Sequence, residues 1–478
     1  MSPLFPAPMP DLLPREGLHK ALRTHTHLFV NETLTAINPQ YLNLASFSPA
    51  TNGAVELDRF LSGMLNHESA TQAWPSAPIR LADLYSPLNH SPVTGLSKKA
   101  MSFDVIILGL GAMGSAAAQY LARRGNRVLG IDQFTPPHDK GSSHGGSRII
   151  RQAYFEGPDY IPLVLRAYEL WHELERETGA RLVHTTSGLV IGHSEGALIQ
   201  RTIVSANQHN IPIDVLQPSE LAQRFPAFHP LPHDVGVLEQ LAGYLIPEDC
   251  IRTQLEFASR AGAELHFEEK VLSWSADPDR VEIRTANNVY VARHLVITAG
   301  PWAASLLHSA FPLRVTRQVT AWIQPQGGVE PFLPGRFPIF IAEDAAGGYA
   351  TYGFPAIDGP AGGIKVAIHG SQIQCTPDTV DRAIHDSDTA AIVRASKQRI
   401  PSICGQLIRA KTCLYTMTPD EHFIIGAHPL LPSCTIACGF SGHGFKFAPV
   451  VGEILADLAT TGTTSHPIQM FSPKRFVP

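Results

Sequence analysis

One stretch restricts what this chain can become more than any other: Phe103 to Asp132, FDVIILGLGAMGSAAAQYLARRGNRVLGID. An apolar run, Val105 to Leu108, enters Gly109-Leu110-Gly111-Ala112-Met113-Gly114, and an alanine-rich segment with helical spacing follows and closes at Gly125. The pattern reads as strand, tight turn, helix. A second apolar run, Val128 to Ile131, ends in Asp132, at the spacing from which a carboxylate hydrogen-bonds a ribose hydroxyl. Gly109 permits the turn, Gly111 the close approach of a pyrophosphate, and Gly114 tight packing of helix on strand. The helix start adds unpaired N–H groups and a positive dipole end. Glycines at this spacing also occur in plain turns, but strand, helix and acid together indicate a dinucleotide site. They leave NAD and FAD equally open.

The rest of the chain bounds the setting. At 478 residues it exceeds one typical domain, and 44% hydrophobic with 17% charged residues suits a globular protein with a large core. A net charge of −5, with scattered basic residues, gives no nucleic-acid stripe and no polybasic membrane anchor. No apolar run approaches the ~20 residues that span a bilayer. Six cysteines are too few for a disulfide scaffold at this length, and none has partners at metal-site spacing, so no metal centre is expected. The expected setting is reducing and cytoplasmic. Neither a secretory signal at the N-terminus nor a peroxisomal address at Arg475-Phe476-Val477-Pro478 is visible.

Residues 1–100 are rich in Pro, Ser, Thr, Asn and His and do not read as a packed domain. They are expected to be a dispensable or poorly ordered extension, or a mis-called translation start. Pro137 to Arg151 reads as a polar glycine loop that turns helical, and Tyr160 to Thr178 and Thr253 to Ala261 as helices. Leu182–Ile191, Val235–Leu245, Val281–Arg284, Val289–Val291 and His294–Thr298 read as strands, and Arg317 onward as more strand-rich. Cys434 to Leu458 repeats the order strand, glycine turn, helix. Alternating strands and helices at both ends, with a β-rich stretch between, indicate a nucleotide-binding domain interrupted by a second one.

Several separated motifs then point to one family. Gly141-Ser142-Ser143-His144-Gly145-Gly146-Ser147-Arg148-Ile149-Ile150-Arg151, Lys411 to Thr416, Asp420 to Ile425 and Gly439 to Phe447 resemble the monomeric sarcosine oxidase and N-methyl-L-tryptophan oxidase family, from about Ser102 to the C-terminus. The resemblance implies an α/β fold of D-amino-acid-oxidase type, with a Rossmann-like FAD-binding domain (101–183, 249–318 and 420–478) interleaved with a β-rich substrate domain (184–248 and 319–419). It implies a monomer with FAD, acting on a small N-methyl amino acid and O₂.

Residue by residue, the resemblance makes Cys413 the point of covalent 8α-S-cysteinyl attachment of FAD, where composition alone favours a buried core cysteine. Gly109, Gly111, Gly114, Asp132 and His144 would also contact the cofactor. Lys365 would stand beside the flavin, although by itself it reads as a solvent-facing strand lysine. Arg151 and Lys446 would hold the substrate carboxylate, fork and point charge together selecting amino acids over simple amines. Tyr352 and His369 would face the substrate amine, and Arg148 the flavin. Two positions depart from the family: Ser143 stands where a second histidine is usual, and Gly146 where an aspartate is usual.

The implied reaction is oxidation of the amine, hydrolysis of the resulting imine, and release of H₂O₂; an N-methyl substrate yields amino acid and formaldehyde. Ala321-Trp322-Ile323-Gln324 looks like the N-methyltryptophan branch. Alternatives are oxidation of another secondary or cyclic amino acid, an NAD-dependent dehydrogenase, which the glycine motif allows, and a flavoprotein that binds amino-acid-like ligands without turnover.

Overall fold

The computed structural model describes residues 101–343 and 351–476. The expected extension, residues 1–100, lies outside the described residues.

Along the chain run β1 (Met101–Leu108), α1 (Ala112–Arg123), β2 (Val128–Ile131), β3 (Arg148–Ile150), α2 (Ile161–Thr178), β4 (Val183–Thr185), β5 (Gly188–His193), α3 (Ala197–Gln208), β6 (Asp214–Leu216), α4 (Pro218–Arg224), β7 (Asp234–Glu239), β8 (Gly243–Leu245) and α5 (Pro247–Arg260). Then come β9 (Glu264–His266), β10 (Val271–Asp277), β11 (Arg280–Thr285), β12 (Val289–Ile297), α6 (Ala303–Leu306), β13 (Arg314–Gln324), β14 (Ile339–Ala342), β15 (Thr351–Phe354) and β16 (Ile364–Ile368). The chain closes with α7 (Asp386–Ser396), β17 (Gln406–Met417), β18 (Ile424–Ala427), β19 (Cys434–Cys438) and α8 (Ala448–Thr461).

One sheet runs β10-β11-β12-β1-β2-β9, with β19 beside β12 and β18 beside β19. Around β1 it is parallel, each neighbour reached through a helical crossover or a long excursion. Val105, Ile106, Ile107 and Leu108 are all buried, because helices cover one face while residues of β11, of α6 and of the segment after it, such as Val281, Ala303, Leu307 and Phe311, pack with the other; this is why β1 is uniformly apolar. Helix α1 lies against α5 and α8, and at their crossing a side chain on Gly452 would collide with Ala116. A second sheet, β17-β13-β16-β15-β14-β5-β7-β6, is antiparallel except where β5 meets β14. A small third sheet, β3-β8-β4, stands apart from both.

Several elements differ from their sequence reading. The loop after β2 ends in a strand, not a helix: Arg148–Ile150 pairs antiparallel with Gly243–Leu245, and the β-branched Ile149 and Ile150 suit that ladder. The helix is delayed beyond Gly157, whose φ is +156°, until Ile161. Leu182–Ile191 is two strands rather than one, broken at Ser187 with φ +59°, and Val235–Leu245 is likewise split, so that each half joins a different sheet. Conversely, Val289–Val291 and His294–Thr298 fuse into the nine-residue β12.

Candidate active site

The glycine turn is built as its sequence requires. Gly109 has φ +90°, and a Cβ there would sit 2.7 Å from the Thr298 carbonyl oxygen. A Cβ on Gly114 would fall 1.8 Å from the Gly109 oxygen, so α1 seats directly on the turn. At Gly111 the space is open, with the Ser143 hydroxyl the nearest group at 3.9 Å, and Gly111 caps α1 without any side-chain hydrogen bond. The first N–H groups of the helix therefore face outward with no acidic residue in that turn, as an anion requires. Asp132 ends β2 and accepts hydrogen bonds from Leu110 N at 2.8 Å and Phe134 N at 2.9 Å, bracing the same turn.

The loop 142–147 gathers a first cluster. Glu248, in the first turn of α5, accepts from the N–H groups of Gly145 (2.7 Å) and Gly146 (3.2 Å), both in the left-handed region. The loop carbonyls face the other way. Lys365 Nζ donates to Gly145 O at 2.8 Å, Ser147 O at 3.0 Å and Ser147 Oγ at 3.1 Å. Arg148 donates to Ser147 O at 2.8 Å, to Ser142 O at 2.7 Å and to Cys413 Sγ at 3.5 Å. Cys413, on β17, is buried, and its thiol donates to Ser142 O at 3.6 Å.

Lys365 is 1% exposed. Register explains why it is no surface lysine: on β16 it pairs with Trp322 of β13 on one side and Phe354 of β15 on the other, and its ammonium lies 5.2 and 4.9 Å from those rings. Burial, reinforced by the Arg148 charge, pushes its pKa well below the usual lysine range. Trp322 is filled in from behind by the Arg409 guanidinium, 4.4 Å away, so this residue of the Ala321–Gln324 segment packs behind Lys365. His144 is buried, and neither ring nitrogen has a partner. Burial and then Arg148 drive its pKa down to about 3. A neutral buried imidazole with two unsatisfied nitrogens marks where a polar group belongs, and FAD, approached from the glycine turn, fits it.

A second cluster gathers about Tyr154. The Arg151 guanidinium lies 4.3 Å from the Tyr154 ring and 4.1 Å from that of Phe155, and it donates to Ala153 O and to Glu156 Oε2, each at 2.5 Å. Glu239 holds this backbone by accepting from Gln152 N and Ala153 N. Lys446, buried in the turn before α8, lies 4.9 Å from the same ring and donates to Tyr154 OH at 3.2 Å and His443 O at 2.8 Å. Burial, then Arg151, pushes its pKa down to about 7. Burial alone would raise Glu156; Arg151, His443 and Lys446 outweigh it and bring it to about 2.

Half-buried His369 bridges the clusters. Its Nδ1 is 3.4 Å from Tyr415 OH, which hydrogen-bonds Tyr352, and Tyr352 feels Arg148 and Cys413 while His369 feels Glu156, Lys446 and Arg151. The singled-out residues of the two clusters, with Tyr352 and His369, thus lie within electrostatic reach of one another, while Gly109, Gly111, Gly114 and Asp132 stand at the glycine turn. Tyr154, Glu156, Glu248 and the Tyr415 hydroxyl belong to the site too and were not singled out as site residues; for Tyr154 and Glu156 the signal was polar or aromatic character within five residues of Arg151. Four cations, Arg148, Arg151, Lys365 and Lys446, face three carboxylates, Glu156, Glu239 and Glu248. Burial disfavours the charged form of both lysines, and an anion beside them would favour it.

Residues 104–458 match the family described as FAD dependent oxidoreductase (DAO). Over 376 residues, 78% of this chain and 98% of the relative, the protein is 49% identical to a monomeric sarcosine oxidase of Streptomyces avermitilis. It is 33% identical over 378 residues, 79% of this chain and 100% of the relative, to an N-methyl-L-tryptophan oxidase of Yersinia pestis. Among solved structures, NikD, an amino acid oxidase of nikkomycin biosynthesis, superposes with a TM-score of 0.69 at 24% identity, covering 78% of this chain and 98% of that one. Glycine oxidase from Geobacillus kaustophilus gives 0.66 at 19%, covering 79% and 100%. At these identities the structural likeness speaks for the fold. The chain belongs to the FAD-dependent oxidoreductase family and, within it, to the group of monomeric sarcosine and N-methyl-L-tryptophan oxidases.

Proposed function

We propose that the protein oxidises small N-methyl amino acids, sarcosine foremost, with O₂ and water as co-reactants and amino acid, formaldehyde and H₂O₂ as products. The observation that carries this is the meeting of two cations on one aromatic ring, Arg151 and Lys446 on Tyr154, with His369 within their electrostatic reach and its partner Tyr415 within that of Cys413 and Arg148. FAD, when bound, supplies the two-electron acceptor that O₂ regenerates.

The chain's own residues do the rest. Arg151 and Lys446 clamp the substrate carboxylate, and the clamp sets the amine toward His369 and Tyr352. Burial lowers the His369 pKa, so the imidazole stays neutral at neutral pH and offers a nitrogen that accepts the amine proton. Lys365 is held by three acceptors, and its preorganised ammonium would stabilise the negative charge that develops as O₂ is reduced. His144, Gly109, Gly111, Gly114 and Asp132 would hold the cofactor, and Cys413 would tether it covalently. The division into an FAD-binding and a substrate domain belongs to the same proposal and is supported by the separate sheets. A monomer in a cytoplasmic setting is proposed with it, the monomer supported by the likeness to a monomeric sarcosine oxidase.

Sarcosine is preferred to N-methyl-L-tryptophan because the sarcosine oxidase relative is the more similar, at 49% against 33% identity. The test is peroxide and formaldehyde release from both substrates by the flavin-loaded protein. A higher kcat/KM for sarcosine supports the proposal. Flavin content without turnover of either, or of a wider amine panel, would favour a non-catalytic flavoprotein.

A further inference from the structure

His443, Tyr154 and Glu421 form a chain that the reaction above leaves unused. His443 Nε2 lies 3.1 Å from the Glu421 carbonyl oxygen, which can only accept, so Nε2 carries the proton and Nδ1 presents a lone pair. Burial drives the His443 pKa down to about 3, which agrees with a neutral ring. Tyr154 OH is 2.8 Å from that Nδ1 and has one proton to give. The His443 carbonyl, 3.2 Å from Tyr154 OH, already accepts from Lys446 at 2.8 Å, so the phenol proton goes to Nδ1. The phenol oxygen is then an acceptor, and it faces Lys446 Nζ at 3.2 Å. Of the three ammonium donors, two are directed to Tyr154 and to the His443 carbonyl, and the third is left for a ligand.

We propose that Tyr154 and His443 are positioning residues, a proton-ordered relay from the Glu421 carbonyl that aims the third N–H of Lys446 at the substrate carboxylate. This rests on the reading of Lys446 as a carboxylate ligand. It also accounts for the Asp420–Ile425 motif, since Glu421, at φ +60°, presents the carbonyl on which the relay ends. The order is directional. Reversing the imidazole tautomer would set a donor against the Tyr154 proton and turn the phenol away from Lys446.

The two ends of the imidazole can be separated by substitution. In His443→Asn the amide oxygen stands near the Nδ1 position and keeps the acceptor; in His443→Gln the amide nitrogen stands near Nε2 and keeps only the donor. Tyr154→Phe retains the ring against Phe447 and Tyr160 and deletes the hydroxyl. For the flavin-loaded enzymes, sarcosine KM and kcat and the inhibition constant of acetate are measured, with thermal unfolding as the folding control and Lys446→Met as reference. Tyr154→Phe and His443→Gln are expected to raise KM and the acetate constant about tenfold, the scale of one hydrogen bond to a charged group, with a smaller change in kcat; His443→Asn is expected to recover most of the loss. If His443→Gln does not fold, Tyr154→Phe decides. Unchanged constants in Tyr154→Phe, or equal losses in the Asn and Gln variants, would overturn the relay. Unchanged constants in Lys446→Met would instead remove the carboxylate assignment beneath it.

Discussion

The residues that matter most here take their properties from neighbours far away in sequence. Lys365 is a strand lysine by its local pattern, and what makes it a buried cation is its register between Trp322 and Phe354 and its reach to the 145–147 loop, some 220 positions upstream. No one-dimensional signal carries that, so the family motif alone pointed to it. Lys365→Met is expected to lower the rate of O₂ consumption about hundredfold, as for removal of one preorganised donor, while sarcosine binding changes little; rapid-mixing kinetics check both. Cys413 lies beside Arg148 and Ser142, and the attachment proposed for it predicts that acid-precipitated wild-type protein keeps its yellow colour, whereas Cys413→Ala releases flavin to the supernatant. Lys446 gives a pH prediction. Its pKa falls to about 7 in the unliganded protein, so the ammonium is present below that pH and lost above it. The acetate constant should be flat below about pH 7 and rise about tenfold per unit above it. Lys446→Arg, which stays charged, should flatten the rise.

Local elements were legible where the signal is local. The β1–α1–β2 unit follows its sequence reading because every requirement lies within thirty residues: the apolar run, the glycine spacing and the closing Asp132. Gly114→Ala should destabilise the protein by about 3 kcal/mol, since its Cβ meets backbone rather than a movable side chain; urea unfolding and flavin content check it. The strands that change sheets were less legible, because an apolar run such as Leu182–Ile191 does not show that Ser187 turns it. The edge strand β10 was not recognised at all: most of its side chains are partly or fully exposed, so it carries little alternation to read. Helices α3, α4 and α7 likewise escaped, each bearing only a short apolar face.

Across the molecule, the site draws on distant stretches of chain: the turn after β1, the loop after β2 with β3 and the residues that follow it, the first turn of α5, β15, β16 with His369 after it, β17 and the turn before α8. This is why its members are scattered from Gly109 to Lys446, and why composition excluded classes of function without selecting one. The sheet begins at Met101 and the family match at residue 104, so a protein expressed from Met101 should be soluble and bind FAD; an insoluble or cofactor-free product would count against that. The central claim, that this scaffold oxidises an N-methyl amino acid at a flavin and passes the electrons to O₂, is tested most directly by adding sarcosine to the flavin-loaded protein without air. The flavin absorbance should bleach, and return on admission of air with release of peroxide. An absorbance indifferent to sarcosine and to other N-methyl amino acids, but bleached by NADH, would contradict the account.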